Sequence, residues 1–264
     1  MTSRSLWRDL EQSIRRPEFW AYSSWLGIVT KYRRSRLGLL WLIAPAILYI
    51  LGVGYFFSKL QGHSPADFMA HMGVGYLLFR LLSMVINESS SVLPQHQSFI
   101  LDGHQRLTDF FLRVIAKALF YFLMASPVVA IVLIRAPHVD AVGLLSLFAS
   151  IPVFVLNVAW ISVVIALLGA RFPDIHELMG TVFIFGFILT PILWYASRAP
   201  MGTPHGIFMR LNPLYHLIEI VRAPLLGEPV ERLTLYYLAL LTLGGWLLAS
   251  LAYRRYARFV PIWV

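Results

Sequence analysis

Residues 141–170, AVGLLSLFASIPVFVLNVAWISVVIALLGA, run without one charged side chain. A helix that crosses a bilayer needs about 20 mainly apolar residues, so this stretch is long enough to cross with tilt to spare. Outward from it, segments 37–58, 178–197 and 233–253 are also uncharged. Segment 68–91 is apolar but contains Arg80 and Glu88. Segment 110–134 carries Arg113 and Lys117 near its start, where long side chains reach back to the interface. The pattern predicts an all-α integral membrane protein with six transmembrane helices. Composition agrees, because 58% of residues are hydrophobic and 13% charged, against about 25% charged in soluble chains. No repeat, low-complexity tract or linker divides the chain, so residues 1–264 read as one domain.

The net charge of +9 points to a nucleic-acid partner only if it is spread over a soluble face; here it sits on the flanks of the spans. With both termini on the cytoplasmic side, the inside segments hold fifteen Lys and Arg: eight in 1–36, then Arg106, Arg113, Lys117, Arg171, Arg254, Arg255 and Arg258. The outside segments hold six: Lys59, Arg135, Arg198, Arg210, Arg222 and Arg232. The excess of positive charge on cytoplasmic loops therefore places both termini inside and leaves no nucleic-acid partner.

Three segments are not spans. In 17–31, Pro17 suits a helix start, and Phe19, Tyr22, Trp25, Leu26 and Val29 fall within about 120° at helical spacing, with Trp20 on the polar side. This predicts an amphipathic helix in the interface, followed by the basic run Lys31-Tyr32-Arg33-Arg34-Ser35-Arg36; it serves as an anchor alone or as a contact for a partner. Segment 92–109 is polar around Phe99-Ile100-Leu101, which fits either a hydrated loop or a short helix showing Phe99 and Leu101 to a cytoplasmic partner. Segment 198–232 is long for a connection. Asn212-Pro213 starts a helix that carries Leu214, Leu217, Ile218 and Val221 before Pro224 and Gly227 end it. That run is too short to span, and it predicts a re-entrant or interfacial helical hairpin between spans five and six.

Catalytic groups are sparse. Cysteine is absent, which excludes thiolate chemistry. Asp174-Ile175-His176-Glu177 gathers ligand types on a short turn, and reads as a helix-capping turn rather than a metal site. The histidines lack metal-ligand spacing. None of Lys31, Lys59 and Lys117 follows a glycine as a phosphate-binding loop requires. The chain is read as lacking the groups of an enzyme and a cofactor of its own; if it moves something uphill, the energy comes from a partner or an ion gradient. Arg80 and Glu88, too few for a proton relay, are expected to pair with other helices or with each other.

Aromatic residues make up 14% of the chain. On 37–58, Trp41, Pro45, Tyr49, Gly52 and Phe56 fall within about 80° of arc on a helix. On 178–197, Phe183, Phe187, Thr190 and Trp194 form a similar stripe, with Tyr195 beside it. Such rings act either as interface belts and packing or as faces along which sugar rings slide.

In order and spacing, these features resemble the membrane subunits of ABC-2 type exporters, especially those of bacterial capsular polysaccharide and O-antigen transporters. The resemblance rests on the N-terminal helix leading to Arg36-Leu37-Gly38-Leu39-Leu40-Trp41 and on Arg171-Phe172-Pro173-Asp174 between spans four and five. It continues in Thr190-Pro191-Ile192, in Leu211-Asn212-Pro213-Leu214 with a helix ending near Leu226-Gly227, and in Pro261-Ile262-Trp263-Val264. It implies a homodimer in the bacterial inner membrane, paired with two ATP-binding-cassette subunits that hold ATP and Mg. A lipid-linked glycan would pass between the copies along Trp41, Tyr49, Phe56, Phe183, Phe187, Trp194 and Tyr195, toward periplasmic export proteins. Trp20, Trp25, Phe99, Leu101, Asp102 and Arg106 would meet the ATPases, and Asn212, Pro213 and Glu219 would belong to an outer gate. Residues 87–109 depart from the O-antigen branch, so the resemblance does not choose between polymers. Efflux of a small lipid or drug is the alternative cargo.

Overall fold

In the computed structural model, which describes residues 5–264, helices follow one another as α1 (Leu6–Arg15), α2 (Glu18–Tyr32), α3 (Ala44–Ile47), α4 (Gly54–Gln61), α5 (Pro65–Gln95), α6 (Gln97–Leu101), α7 (Leu107–Ile134), α8 (Ala141–Arg171), α9 (Ile175–Leu189), α10 (Pro204–Leu211), α11 (Pro213–Leu225), α12 (Arg232–Tyr256) and α13 (Val260–Trp263). No strand occurs among the described residues. Four stretches are long and apolar enough to cross a bilayer: α5, α7, α8 and the continuous run Arg232–Trp263. Local chemistry sets their ends. Pro65 opens α5 where a missing N–H costs nothing. The Asp140 side chain takes the Gly143 N–H at 2.7 Å to start α8. At the start of α7 the Arg106 backbone N–H donates to the Asp109 carboxylate at 3.0 Å.

Two of the expected spans differ from single long helices. The first apolar run breaks into a tight 3₁₀ turn (Gly38–Leu42), α3, a π-helical stretch (Leu48–Val53) and α4. Pro45 removes a backbone donor, and Gly52 and Gly54 weaken the regular ladder. The wider turn also shifts the register between Trp41, Tyr49 and Phe56 away from that of one regular α-helix. The fifth apolar run is helical only as α9, about 22 Å long at 1.5 Å per residue, because Pro191 forces Thr190 into extended backbone (φ −87, ψ 137). Trp194 and Tyr195 therefore lie beyond the helix, and the stripe projected through them from Phe183 and Phe187 is broken.

α5 is the axis of the bundle, with every residue from Ala70 to Phe79 buried. α8 approaches it backbone to backbone: a Cβ on Gly169 would lie 1.8 Å from the Ser90 carbonyl oxygen, and the Ser89 and Ser162 hydroxyls meet at 2.7 Å. Small residues at such a crossing are what close helix packing in lipid requires. α10 and α11 follow one another across Asn212. α11 is buried along Tyr215–Glu219 and Val221–Ala223, against α5, α8 and α12.

α1 ties the two ends of the chain together. Trp7 stacks on Trp246 (4.9 Å), Tyr253 donates to Asp9 at 2.7 Å, and Ser13 meets Thr108 at 2.7 Å. α1, α2, α6 and α13 thus share one end of the bundle, here the near end, and the α10–α11 hairpin lies at the far end. α2 corrects one detail of its expected faces. Trp20 turns inward and donates its indole N–H to the Ser13 carbonyl at 2.8 Å, and the buried positions are Ser24 and Ile28. The apolar arc of Tyr22, Trp25 and Leu26 stays exposed.

Candidate functional site

The aromatic residues expected to line a path fall into separate groups. Tyr49, from the π-helical stretch, stacks on Tyr76 of α5 at 4.7 Å and meets Phe187 of α9 edge-on at 6.1 Å. Phe79 of α5 contacts both Phe183 (5.6 Å) and Phe187 (5.2 Å). Three candidates, Tyr49, Phe183 and Phe187, are thereby joined through Tyr76 and Phe79, which the sequence reading did not single out. Their signal was present: Tyr76 and Phe79 lie three apart on one helix, the spacing of neighbours on a helical face. Trp41 and Phe56 remain exposed and outside this group. Trp194 donates to the Ile188 carbonyl at 3.1 Å, and Tyr195 packs on His71 (4.3 Å), His63 (4.8 Å) and Phe68 (5.6 Å). An apolar hollow of about 640 Å³ lies beside this region, bounded by Leu82, Trp160, Phe183, Gly186, Leu214 and Leu217.

At the far end, Asn212 and Pro213 start α11. The Asn212 oxygen takes the Leu214 N–H at 3.0 Å, and its amide donates to Thr190 at 3.0 Å, so one side chain joins the end of α9 to the hairpin. Glu219 accepts from Arg222 Nη2 at 2.6 Å and from Nε at 3.2 Å. Arg222, 1% exposed, also donates through Nη1 to the Pro191 carbonyl at 2.5 Å and meets His71 Nε2 at 3.2 Å. It therefore pins α11 to both α5 and the break after α9. Gly75 makes room, since a Cβ there would lie 3.2 Å from Arg222 Nη1. The sequence reading took Arg222 for an outer-loop cation. The overlooked signal is an acid and a base three residues apart, Glu219 and Arg222, on an otherwise apolar run.

At the near end, Arg80 and Glu88 do not pair with each other. Arg80 donates to the Leu42 carbonyl at 3.3 Å. Both Glu88 oxygens accept from Lys117 at 2.9 Å, and Arg113 lies 3.8 Å away. Arg113 and Lys117, expected to reach outward to the interface, turn inward because Glu88 is within range on the neighbouring helix. α6 shows Phe99 and Leu101 to the outside, 48% and 56% exposed. Phe99 rests edge-on against Phe19 of α2 at 5.9 Å, which joins the two expected partner-contact segments. Trp25 packs on Phe120 (5.5 Å), Asp102 is exposed, and Arg106 Nε donates to Gln12 at 2.9 Å. Burial holds the His96 imidazole below its ordinary pKa range; the Val92 carbonyl opposes this and the Arg113 charge adds to it.

The turn 174–177 behaves differently from its reading. Asp174 makes no side-chain capping bond at the start of α9, and His176 Nδ1 instead meets the Ser90 hydroxyl of α5 at 2.9 Å.

No curated protein matches the chain. A profile of the ABC-2 type transporter family matches residues 19–226, which takes in the first apolar run, α5 to α9 and the α10–α11 hairpin. Permeases of this family work with ATP-binding-cassette subunits. With its multi-pass apolar helices and more than half of its length matched, the chain belongs to the ABC-2 type transporter family and is the membrane-spanning permease of an ATP-binding-cassette transporter.

Proposed function

We propose that this permease exports a lipid-linked polysaccharide, of capsule or O-antigen type, across the bacterial inner membrane. On this reading the broken first run, α5, α7, α8, α9 with the residues after it, and α12 give six crossings. The near end with both termini faces the cytoplasm, and the α10–α11 hairpin is a re-entrant outer gate. Two copies face each other and two ATP-binding subunits dock at α2 and α6, holding the ATP and Mg. When those subunits close on ATP, α2 and α6 act as levers, and the copies shift between gripping and releasing the glycan.

The observation that carries the cargo assignment is the ring group Tyr49–Tyr76–Phe79–Phe183–Phe187. Tyr49 is 40% exposed on the outer side of that group, and Trp41 and Phe56 of the same run are also exposed. Aromatic faces with polar handles suit the apolar faces of sugar rings and need no fixed geometry. The test is polymer export in Tyr49→Ala and Phe187→Ala, both in that group, against Trp246→Ala, whose ring stacks on α1. The first two should lose export by about tenfold or more, equivalent to about 1.4 kcal/mol. Equal losses in all three would make these rings packing or belt residues.

A second cargo is favoured by the apolar hollow beside α9, which has the size of a small-molecule site. Export of a small lipid or drug predicts that Phe183→Ala alters which small molecule is exported while the outer rings can be removed without effect.

A further inference from the structure

A groove of about 520 Å³ runs between α2 and α6. Phe19, Leu26 and Phe99 line it together with Thr30, Lys31 and Arg113. The ion cluster at its base does not balance. Lys117 occupies both oxygens of Glu88 at 2.9 Å. Arg113 Nη1 stands 3.8 Å from the same carboxylate, beyond hydrogen-bond distance. Arg113 Nε is buried without a partner, and its side chain is only 14% exposed. Two cations therefore share one carboxylate, and the surplus charge sits on the side chain that borders the groove. Among the described lining residues none is acidic, and Lys31 adds a second positive charge. A buried guanidinium with an idle donor is costly, and the groove is positioned for an anion from outside to complete it.

The position of α2 says from which side. It crosses α7 between Arg113 and Phe120. On one flank Trp25 packs on Phe120 and Tyr32 faces Tyr121, about two turns farther into the apolar helix. The groove is on the other flank, beside α6 and His96 at the end of the bundle. The groove thus lies on the flank of α2 that carries α6 and His96, opposite the flank packed on Phe120 and Tyr121. An apolar wall around one buried cation suits a protein segment in which a carboxylate is flanked by apolar side chains. A planar guanidinium fork binds a carboxylate through paired N–H donors.

We infer that this groove receives an acidic side chain on an apolar segment of the ATP-binding subunit, and that Arg113 is its anchor. The inference rests on the exporter reading above for the identity and side of the partner. On assembly, the carboxylate accepts from Arg113 Nε and neutralises the cluster, so that α2 and α6 are held by one group and move together.

The test uses the complex as assembled in its own membrane, with a photo-crosslinking amino acid at Leu26 or at Phe99. The expected product is a crosslink to a peptide of the ATP-binding subunit that contains Asp or Glu. Arg113→Gln should reduce that crosslink, and the complex's ATP hydrolysis, by about tenfold or more. Arg113→Glu combined with the partner's acid changed to Arg should restore both. The isolated Arg113→Gln chain should keep its melting temperature, because Glu88 retains Lys117, which separates lost docking from lost folding. A crosslink undiminished by Arg113→Gln, or one formed to lipid in place of protein, overturns the inference while the exporter reading stands. Failure of any ATP-binding subunit to copurify with the unaltered chain defeats that reading and this inference with it.

Discussion

At the far end, all three nitrogens of Arg222 have partners: Nε and Nη2 meet Glu219, and Nη1 meets Pro191 and His71. At the near end, Lys117 holds both oxygens of Glu88 while Arg113 keeps one nitrogen idle. In charge the far-end pair is closed, one cation against one carboxylate, although His71 Nδ1 beside it is buried without a partner; the near-end set carries one positive charge too many. In a low-dielectric setting a compensated ion pair holds together the elements it joins, and an uncompensated charge costs free energy until something completes it. The closed set explains why a hairpin too short to span stays fixed against α5. On the docking inference above, the open set is where a carboxylate of the ATP-binding subunit would complete Arg113.

The sharpest way to break this comparison is Glu219→Ala, which leaves Arg222 buried and uncompensated. It should cost about 3–5 kcal/mol, read as a drop in unfolding free energy in detergent. Replacing both partners with Glu219→Leu and Arg222→Met should recover most of the loss, since no charge is then stranded. Next comes Lys117→Gln, which removes the two bonds to Glu88 and should cost about 1.5–3 kcal/mol, with Arg113 swinging in to limit the damage. Smallest is Arg113→Gln, expected to lie within about 0.5 kcal/mol of the unaltered chain. Equal costs for Lys117→Gln and Arg113→Gln would mean that both cations serve Glu88 alike, and the contrast between the two ends would disappear.

The spans were legible where composition alone decides, as in the uncharged run that became α8. They were less legible where backbone chemistry intervenes. Pro45, Gly52 and Gly54 turn one apolar run into several short turns, and Pro191 stops α9 before the residues that hydropathy assigns to it. Helical periodicity carried through such a break places Trp194 on a stripe that does not exist. The ionic groups were harder still. Glu88 and Lys117 stand 29 residues apart on different helices, so nothing in local spacing joins them. Arg222 was hidden because it falls among the cations of the long outer segment 198–232, although Glu219 one turn earlier on the same helix carried the signal. For Phe99-Ile100-Leu101 the sequence left a hydrated loop and a short helix open, because five residues are too few for periodicity to decide, and the structure has the short helix α6.

The central claim is that this chain is a conduit driven by a separate ATP-binding subunit. The direct measurement is ATP-dependent movement of a labelled lipid-linked glycan in proteoliposomes holding the chain alone, the ATP-binding subunit alone, or both. The account predicts transport and ATP hydrolysis by the complete complex, and neither from this chain by itself. Glycan movement or ATP hydrolysis by the isolated chain would contradict it.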